Sequence, residues 1–118
     1  MKVISINVNG IRAVARKGLF EWLKKVDADV ICLQELKAQP NQIDDKLFNP
    51  DGYFRYLHCA EKKGYSSVGI YCKQKPNKVH LGLGAISDLD WSDVDREGRY
   101  IQVSYIHRTL PTRLRVCT

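Results

Sequence analysis

Four polar side chains follow two apolar runs near the start of the chain, and two of them, Asn7 and Glu35, could bind a hard divalent cation. Asn7 and Asn9 end the first run, and Gln34 and Glu35 end the second. If the two runs form neighbouring strands, Asn7 and Glu35 can meet at one edge of the sheet. One carboxylate and one amide oxygen are enough protein ligands for Mg²⁺, because the ion keeps several water ligands.

The same residues also allow an interpretation that involves no metal ion. Asn7 could cap a turn, and Glu35 could be a solvated acid at the end of a strand, because both residue types are common at such positions. Spacing alone leaves both interpretations open, so the surrounding elements must be considered next.

A strand, a helix and a second strand are predicted around these side chains. Residues 2–8 and 29–33 are rich in β-branched side chains, which is typical of buried strands. Residues 19–26 carry apolar side chains at i, i+3, i+4 and i+7, which predicts an amphipathic helix. These four side chains are Leu19, Trp22, Leu23 and Val26. The order is of the βαβ type, but periodicity leaves open whether the two strands are parallel.

The rest of the chain predicts mainly short strands joined by polar loops. A short helix is expected after Pro40. The strands are expected at residues 53–57, 66–72, 79–83 and 100–105. The first three of these follow one another closely and suggest an antiparallel meander. Residues 84–98 form an acidic loop without the spacing of an EF-hand, and the tail at 106–118 shows no clear period.

Composition indicates one globular domain without export or membrane signals. The chain has 118 residues, of which 44% are hydrophobic and 27% charged, and no apolar run reaches the length of a membrane span. Its four cysteines form no C-x-x-C pair, so we expect reduced thiols and a cytoplasmic location. The formal net charge is +6, and residues 106–118 supply half of it through Arg108, Arg113 and Arg115.

Four sequence blocks together indicate a family. They read S-I-N-V-N-G-I-R-A, V-I-C-L-Q-E-L-K-A-Q-P, A-E-K-K-G-Y-S-S-V-G-I-Y and E-G-R-Y-I. In this order and spacing, they resemble the exodeoxyribonuclease III family of apurinic/apyrimidinic (AP) endonucleases, within the endonuclease/exonuclease/phosphatase superfamily. The resemblance covers roughly residues 1–105, and the N-G-I-R-A and K-K-G-Y-S segments favour the DNA-repair branch.

The resemblance implies a fold and an activity. The expected fold is α/β (α+β), the N-terminal half of a four-layer α/β sandwich with a mainly antiparallel sheet. The family is a hydrolase, an AP endonuclease and 3′–5′ exodeoxyribonuclease that depends on Mg²⁺ (or Mn²⁺). It cuts the phosphodiester 5′ to an abasic site and trims 3′ ends. The expected partner is DNA, as an abasic or nicked duplex, with no membrane and no obligate protein partner evident.

The resemblance also implies roles for single residues. Asn7 and Glu35 match the family's metal-binding positions, with Glu35 as the principal ligand. Arg12, Lys37 and Tyr65 match positions that contact DNA. Each has an alternative, since Arg12 and Lys37 could be ordinary solvated cations and Tyr65 a core ring.

Other positions depart from the family pattern. Asn9 stands where some members carry an aspartate near the metal, so its role is weaker. Arg99 is expected to support structure rather than chemistry, and Ser67 replaces a usual glycine. After Tyr105 the family's remaining catalytic residues have no match, and no aspartate follows Asp95.

These departures predict a partial domain. Residues 1–105 are expected to be a partial endonuclease/exonuclease/phosphatase domain, and residues 106–118 a non-matching basic tail, possibly frameshifted. The chain is then an N-terminal fragment that is inactive alone, with one apolar sheet face left uncovered. The alternative is a non-enzymatic nucleic-acid-binding remnant that uses Arg12, Lys37 and the basic tail.

Overall fold

The computed structural model describes residues 1–106 and 112–118, which form two β-sheets with helices on one side. The strands are β1 Val3–Asn7, β2 Val30–Gln34, β3 Phe54–His58, β4 Val68–Cys72, β5 Lys78–Leu81, β6 Tyr100–Tyr105 and β7 Thr112–Cys117. The α-helices are α1 Ile11–Arg16, α2 Leu19–Val26 and α3 Ser92–Asp95, and short 3-10 helices lie at Pro40–Gln42, Lys46–Phe48 and Leu83–Ala85. None of the helices in these two ranges is long and apolar enough to cross a membrane.

The first sheet has the strand order β1-β2-β4-β3. β1 and β2 are parallel, with Val3 opposite Val30 and Asn7 opposite Gln34. Helices α1 and α2 make the crossover between them, which a parallel pair requires. β4 runs antiparallel to both β2 and β3. The carboxyl ends of β1 and β2 therefore meet at one edge, with Asn7 one register position from Glu35.

The second sheet has the order β5-β6-β7 and is antiparallel. The expected meander is therefore wrong at its third strand, because β2 and β3 occupy both edges of β4 and β5 pairs with β6 instead. β7 was not expected either, although the alternation of arginine with Leu114 and Val116 is typical of a strand. Arg108 lies outside the described residues, and the boundary at residue 105 and the frameshift stay predictions.

The two sheets pack face to face. Their shared core consists of buried side chains from both sheets: Val30, Cys32, Val68, Ile70, Cys72, Ile101, Val103, Tyr105 and Val116. The expectation of an uncovered apolar sheet face is therefore wrong, because the chain itself supplies the second sheet. Burial raises the pKa of Cys32 to about 11, so its thiol stays neutral and packs as a small hydrophobic group. The mixed, mainly antiparallel α/β fold is confirmed.

The helices cover the opposite face of the first sheet. Phe20 and Leu23 of α2 are buried, and the ring of Phe20 meets Phe48 edge-on, with the centroids 6.3 Å apart. The Tyr71 hydroxyl donates a 2.7 Å hydrogen bond to the Phe48 carbonyl, which satisfies it within this core. Trp22 was expected on the buried face, but it is 50% exposed. The buried stripe of α2 is instead centred between Phe20 and Leu23.

Ser67 adopts a backbone conformation that favours glycine. Its φ is +77°, and the residue is fully buried. The Ser67 hydroxyl accepts a 2.8 Å hydrogen bond from the Ala60 amide and donates one of 3.1 Å to the Tyr65 carbonyl. Left-handed backbone is costly for a residue with a Cβ, and these two hydrogen bonds offset part of that cost. The departure from the family's glycine thus has a local compensation.

Two substitutions at Ser67 separate the contribution of its hydrogen bonds from the cost of its left-handed backbone. Ser67→Ala removes both hydrogen bonds and keeps the strain, so we expect the free energy of unfolding to fall by about 1–3 kcal/mol. Ser67→Gly removes the same bonds but relieves the strain, so it should be more stable than Ser67→Ala by about 1 kcal/mol. Urea unfolding followed by circular dichroism measures both. A glycine variant less stable than the alanine variant contradicts this explanation.

Candidate functional site

Asn7 and Glu35 are in direct contact at the edge of the first sheet. The Asn7 Nδ2 group donates a hydrogen bond to Glu35 Oε2. The Asn7 Oδ1 atom in turn accepts a 3.0 Å hydrogen bond from the Asn9 amide. The two partners fix the orientation of the Asn7 side chain, because a carboxylate only accepts and a backbone amide only donates. Asn7 therefore orients the Glu35 carboxylate, whose side chain is still 35% exposed.

Backbone hydrogen bonds hold the segment that carries Glu35 from two sides. On one side, the amides of residues 10 and 11 donate to the carbonyls of residues 35 and 36, at 2.8 and 3.0 Å. On the other side, the amides of residues 36 and 37 donate to the carbonyls of residues 67 and 66, at 3.0 and 2.9 Å. The segment at 35–37 is therefore clamped between two loops, and we call this arrangement the backbone clamp.

The clamped segment has an unusual backbone. Glu35 and Lys37 have φ values of +54° and +52°, and the neighbouring Asn9 has +45°. Non-glycine residues rarely adopt this region, and when they do they cluster at functional sites where the surroundings impose the conformation. Here the backbone clamp is what imposes it. This conformation turns the chain at the end of β2, where Glu35 meets the Asn7 amide.

One cation lies beside the Glu35 carboxylate, and a second contacts the backbone two residues further on. The Lys37 ammonium donates a 2.5 Å hydrogen bond to Asn9 Oδ1 and lies 3.8 Å from Glu35 Oε1. Arg12, at the start of α1, donates a 3.2 Å hydrogen bond to the Lys37 carbonyl. The structure thus brings Arg12 and Lys37 to the same edge as Asn7 and Glu35. An anionic group that approached Glu35 would meet the Lys37 ammonium, which lies 3.8 Å from the carboxylate.

Tyr65 lies on the adjoining loop, one residue before the clamp, and the residue is 37% exposed. The alternative of a core ring is therefore wrong. The Arg99 Nη2 group donates a 2.9 Å hydrogen bond to the Tyr65 hydroxyl. Arg99 Cζ and Lys62 Nζ lie 5.7 and 5.6 Å from the centre of the ring, at cation–π distance. The hydrogen bond to Glu97 raises the pKa of Arg99.

The donor atoms at this edge suit a hard divalent cation. Glu35 offers a carboxylate and Asn9 an amide oxygen, which are hard oxygen donors, whereas Asn7 presents its Nδ2 group to Glu35 and turns its Oδ1 atom to the Asn9 amide. The Lys37 ammonium lies between Asn9 Oδ1 and Glu35 Oε1, so these two oxygens already face a positive charge. Within residues 1–106 and 112–118 no three acidic, histidine or cysteine side chains converge on a metal-sized site. Metal binding by Asn7 and Glu35 stays a prediction.

Two features of the site were not predicted from the sequence. The first is the backbone clamp, because serine has no preference for the left-handed backbone found at Ser66 and Ser67. The second is the contact of Arg99 with Tyr65, since Arg99 was interpreted as structural support alone. The E-G-R-Y-I block, which contains Arg99, was the only sequence signal for this contact, but it lies 34 residues from Tyr65 along the chain.

Comparisons with known proteins identify relatives over nearly the whole chain. The model of the Endonuclease/Exonuclease/phosphatase family matches residues 4–115. The "Exodeoxyribonuclease" of Bacillus subtilis (strain 168) is 45% identical over 106 residues, covering 89% of this chain and 38% of that protein. The "DNA-(apurinic or apyrimidinic site) endonuclease" of Dictyostelium discoideum is 38% identical over 105 residues, covering 89% of this chain and 27% of that protein.

Solved structures agree with this fold. The catalytic domain of Xenopus laevis APE2 superposes with a TM-score of 0.74 at 29% identity, over 98% of this chain and 43% of that one. An AP endonuclease from Archaeoglobus fulgidus gives a TM-score of 0.66 at 29% identity, over 87% of this chain and 36% of that one. The chain thus spans less than half of these relatives. Because the family match, the sequence blocks and the fold agree, the chain belongs to the endonuclease/exonuclease/phosphatase family, on the side of its exodeoxyribonucleases and AP endonucleases.

Proposed function

We propose that the chain supplies the metal-binding part of a DNA-repair nuclease that hydrolyses phosphodiesters at abasic sites and 3′ ends. The observation that carries this proposal is the partly exposed Glu35 carboxylate, which Asn7 orients and beside which the Lys37 ammonium lies at 3.8 Å. The cation would be Mg²⁺ or Mn²⁺, because the available donors are hard oxygens. The names of the relatives support a DNA substrate, and the abasic or nicked duplex is part of the proposal.

In this site each residue has a defined task. Glu35 would hold the cation through its carboxylate, and Asn7 would keep that carboxylate in place through its amide N–H. The bound cation would polarise a phosphoryl oxygen and offset charge on the leaving oxygen. Lys37 would turn from Asn9 towards the incoming phosphate and offset further negative charge, because its flexible stem and single point charge permit such a movement.

DNA contacts would extend along the same edge. Arg12 lies beside Lys37, and Tyr65 lies on the loop that the clamp joins to residue 37. Arginine and lysine contacts to phosphate position the duplex rather than read its sequence. The Tyr65 ring, held by Arg99, would press against the duplex next to these contacts. This arrangement suits recognition of a backbone lesion rather than of a base sequence.

Removal of the carboxylate should remove cation binding. We expect Glu35→Gln to abolish saturable binding of Mn²⁺, and Asn7→Ala to weaken it about tenfold, since an unsupported ligand is less well placed. Electron paramagnetic resonance of free Mn²⁺ gives both affinities. The matched control is Glu21→Gln on the exposed surface of α2. An unchanged Mn²⁺ affinity in Glu35→Gln, or an equal loss of Mn²⁺ affinity in Glu21→Gln, would refute the proposed cation site.

Lys37 should separate cation binding from DNA binding. Lys37→Gln removes a positive charge 3.8 Å from Glu35 Oε1, so Mn²⁺ affinity should stay the same or rise. Affinity for an abasic duplex should fall, because one phosphate contact is lost, and the slope of log K against log salt should decrease by about 0.9. Fluorescence anisotropy across a salt series measures this change. A parallel loss of Mn²⁺ and duplex affinity would argue against separate roles.

The chain alone should not cleave DNA. In the family that it resembles, the attacking water is activated by residues that have no match after Tyr105, and such general-base assistance contributes about 10²–10⁴-fold. We therefore expect the purified, folded 118-residue chain to leave an abasic duplex intact in the presence of Mg²⁺. Gel electrophoresis of an end-labelled duplex measures cleavage. Cleavage that disappears in Glu35→Ala would show that this expectation is wrong.

A further inference from the structure

Lysine and arginine side chains lie at nearly the same distance from the Tyr65 ring. Lys62 Nζ is 5.6 Å and Arg99 Cζ is 5.7 Å from the centre of the ring. Both distances permit a cation–π interaction. The two side chains differ in their other contacts, and this difference separates their roles.

The Arg99 guanidinium is already engaged within the chain. Its Nε atom donates a hydrogen bond to Glu97 Oε2, and its Nη2 atom donates one of 2.9 Å to the Tyr65 hydroxyl. The Glu97 carboxylate also offsets the charge of the guanidinium. Because the guanidinium is planar and presents its donors in a fixed geometry, Arg99 connects Tyr65 rigidly to Glu97. Arg99 therefore orients the Tyr65 side chain and leaves little uncompensated charge for an external anion.

The segment that carries Arg99 lies directly against the segment that precedes the Tyr65 loop. Gly98 has a φ of +61°, and a Cβ atom at this position would lie 2.5 Å from the carbonyl oxygen of residue 58 and 2.6 Å from the amide nitrogen of residue 60. No side chain fits at these distances, so glycine is required for the close approach. We call residues 97–99 the Tyr65 bracket.

Both ends of the loop at residues 61–67 are held by backbone hydrogen bonds. At its start, the amide of residue 61 donates to the carbonyl of residue 96, at 2.8 Å. At its end, the carbonyls of residues 66 and 67 belong to the backbone clamp. The tip between these two attachments carries Tyr65. The Tyr65 bracket therefore supports the tip through a side-chain contact, while the backbone contacts hold the rest of the loop.

Lys62 has no such partner in the described part of the chain. It takes part in none of the ion pairs within residues 1–106 and 112–118, and the residue is exposed. A lysine carries its charge on a flexible stem, so the ammonium can leave the ring and reach a nearby phosphate. Its full positive charge is therefore available to an anion beside Tyr65.

We propose that Lys62 contacts a phosphate of a DNA duplex, and that Arg99 is a positioning residue that acts on the duplex only through Tyr65. This inference rests on the proposed function, in which Tyr65 presses against the duplex. The Tyr65 bracket orders the ring before DNA binds, so the complex loses less side-chain entropy on formation. Lys62 supplies the electrostatic contact beside it, because its charge is not offset by a carboxylate.

Amide hydrogen exchange of the free 118-residue chain, followed by mass spectrometry, tests the positioning role without DNA. Arg99→Gln should accelerate exchange in residues 62–65 by about tenfold, because it removes a charge-assisted hydrogen bond that holds the tip of the loop. Tyr65→Phe keeps the ring but removes the hydroxyl acceptor, so it should accelerate exchange in the same direction. Lys62→Gln should leave exchange unchanged. Unchanged exchange in both Arg99→Gln and Tyr65→Phe would overturn the positioning role.

Fluorescence anisotropy with an abasic duplex in EDTA, measured across a salt series, separates the two cations. Lys62→Gln should reduce the slope of log K against log salt by about 0.9, because one phosphate contact is lost. Arg99→Gln should weaken binding by about fivefold with an unchanged slope, because the tip of the loop must then be ordered on binding. A slope reduced equally by Arg99→Gln would show a direct phosphate contact and overturn the positioning role.

The same substitutions in a Tyr65→Ala background test whether Arg99 acts through the ring. Arg99→Gln should then change the affinity by less than about twofold, whereas Lys62→Gln should keep its effect on the slope. Losses of affinity from Arg99→Gln and Tyr65→Ala that simply add would overturn the proposal. The matched control is Lys24→Gln on the exposed surface of α2. A slope reduced as much by Lys24→Gln as by Lys62→Gln would overturn the phosphate contact, in favour of a general effect of net charge.

These measurements also separate the inference from the proposed function. A chain that binds no duplex would refute the proposed function and the role of Lys62. The exchange rates of the free chain would still decide whether Arg99 positions Tyr65.

Discussion

The backbone clamp on residues 35–37 is the constraint on which the site depends. Glu35 and Lys37 both have left-handed backbone, which costs roughly 1–2 kcal/mol for each residue. The clamp supplies four backbone hydrogen bonds, each contributing about 1 kcal/mol. The two quantities are of similar size, so the strained conformation persists only while both flanking loops are in place. The carboxylate, the Lys37 ammonium and the Tyr65 loop are positioned through this one set of contacts.

The sequence predicted which residues meet at the site but not how they are oriented. The prediction of two neighbouring strands with polar side chains at their ends was enough to bring Asn7 to Glu35, although the parallel pairing came from the structure. The direction of the Asn7 amide depends on the turn at Asn9, which no periodicity encodes. The contact between Tyr65 and Arg99 joins loops that lie far apart along the chain, and such contacts become visible only in three dimensions.

The fold was predictable to a similar extent. The apolar pattern located the strands, but strand pairing depends on which edges of a strand are already occupied. The prediction therefore placed β5 beside β4, whereas both edges of β4 are taken and β5 pairs with β6. Trp22 was wrongly predicted on the buried face, because helical periodicity locates an apolar stripe but not the residue at its centre. Phe20 is buried in its place. β7 was not predicted, because its arginines drew attention to charge rather than to the alternation of polar and apolar side chains. The second sheet therefore completes a core that the sequence alone left open.

A divalent cation at Glu35 would lie where three separate chain segments converge. The most direct measurement is the ¹H–¹⁵N nuclear magnetic resonance spectrum of the chain with substoichiometric Mn²⁺, because the paramagnetic ion broadens nearby amide signals. A cation bound at Glu35 should selectively broaden the signals of residues 7–10, 34–37 and 65–67, which are close only in the folded structure. Broadening confined to the acidic segment at 88–95, with residues 34–37 unaffected, would contradict it.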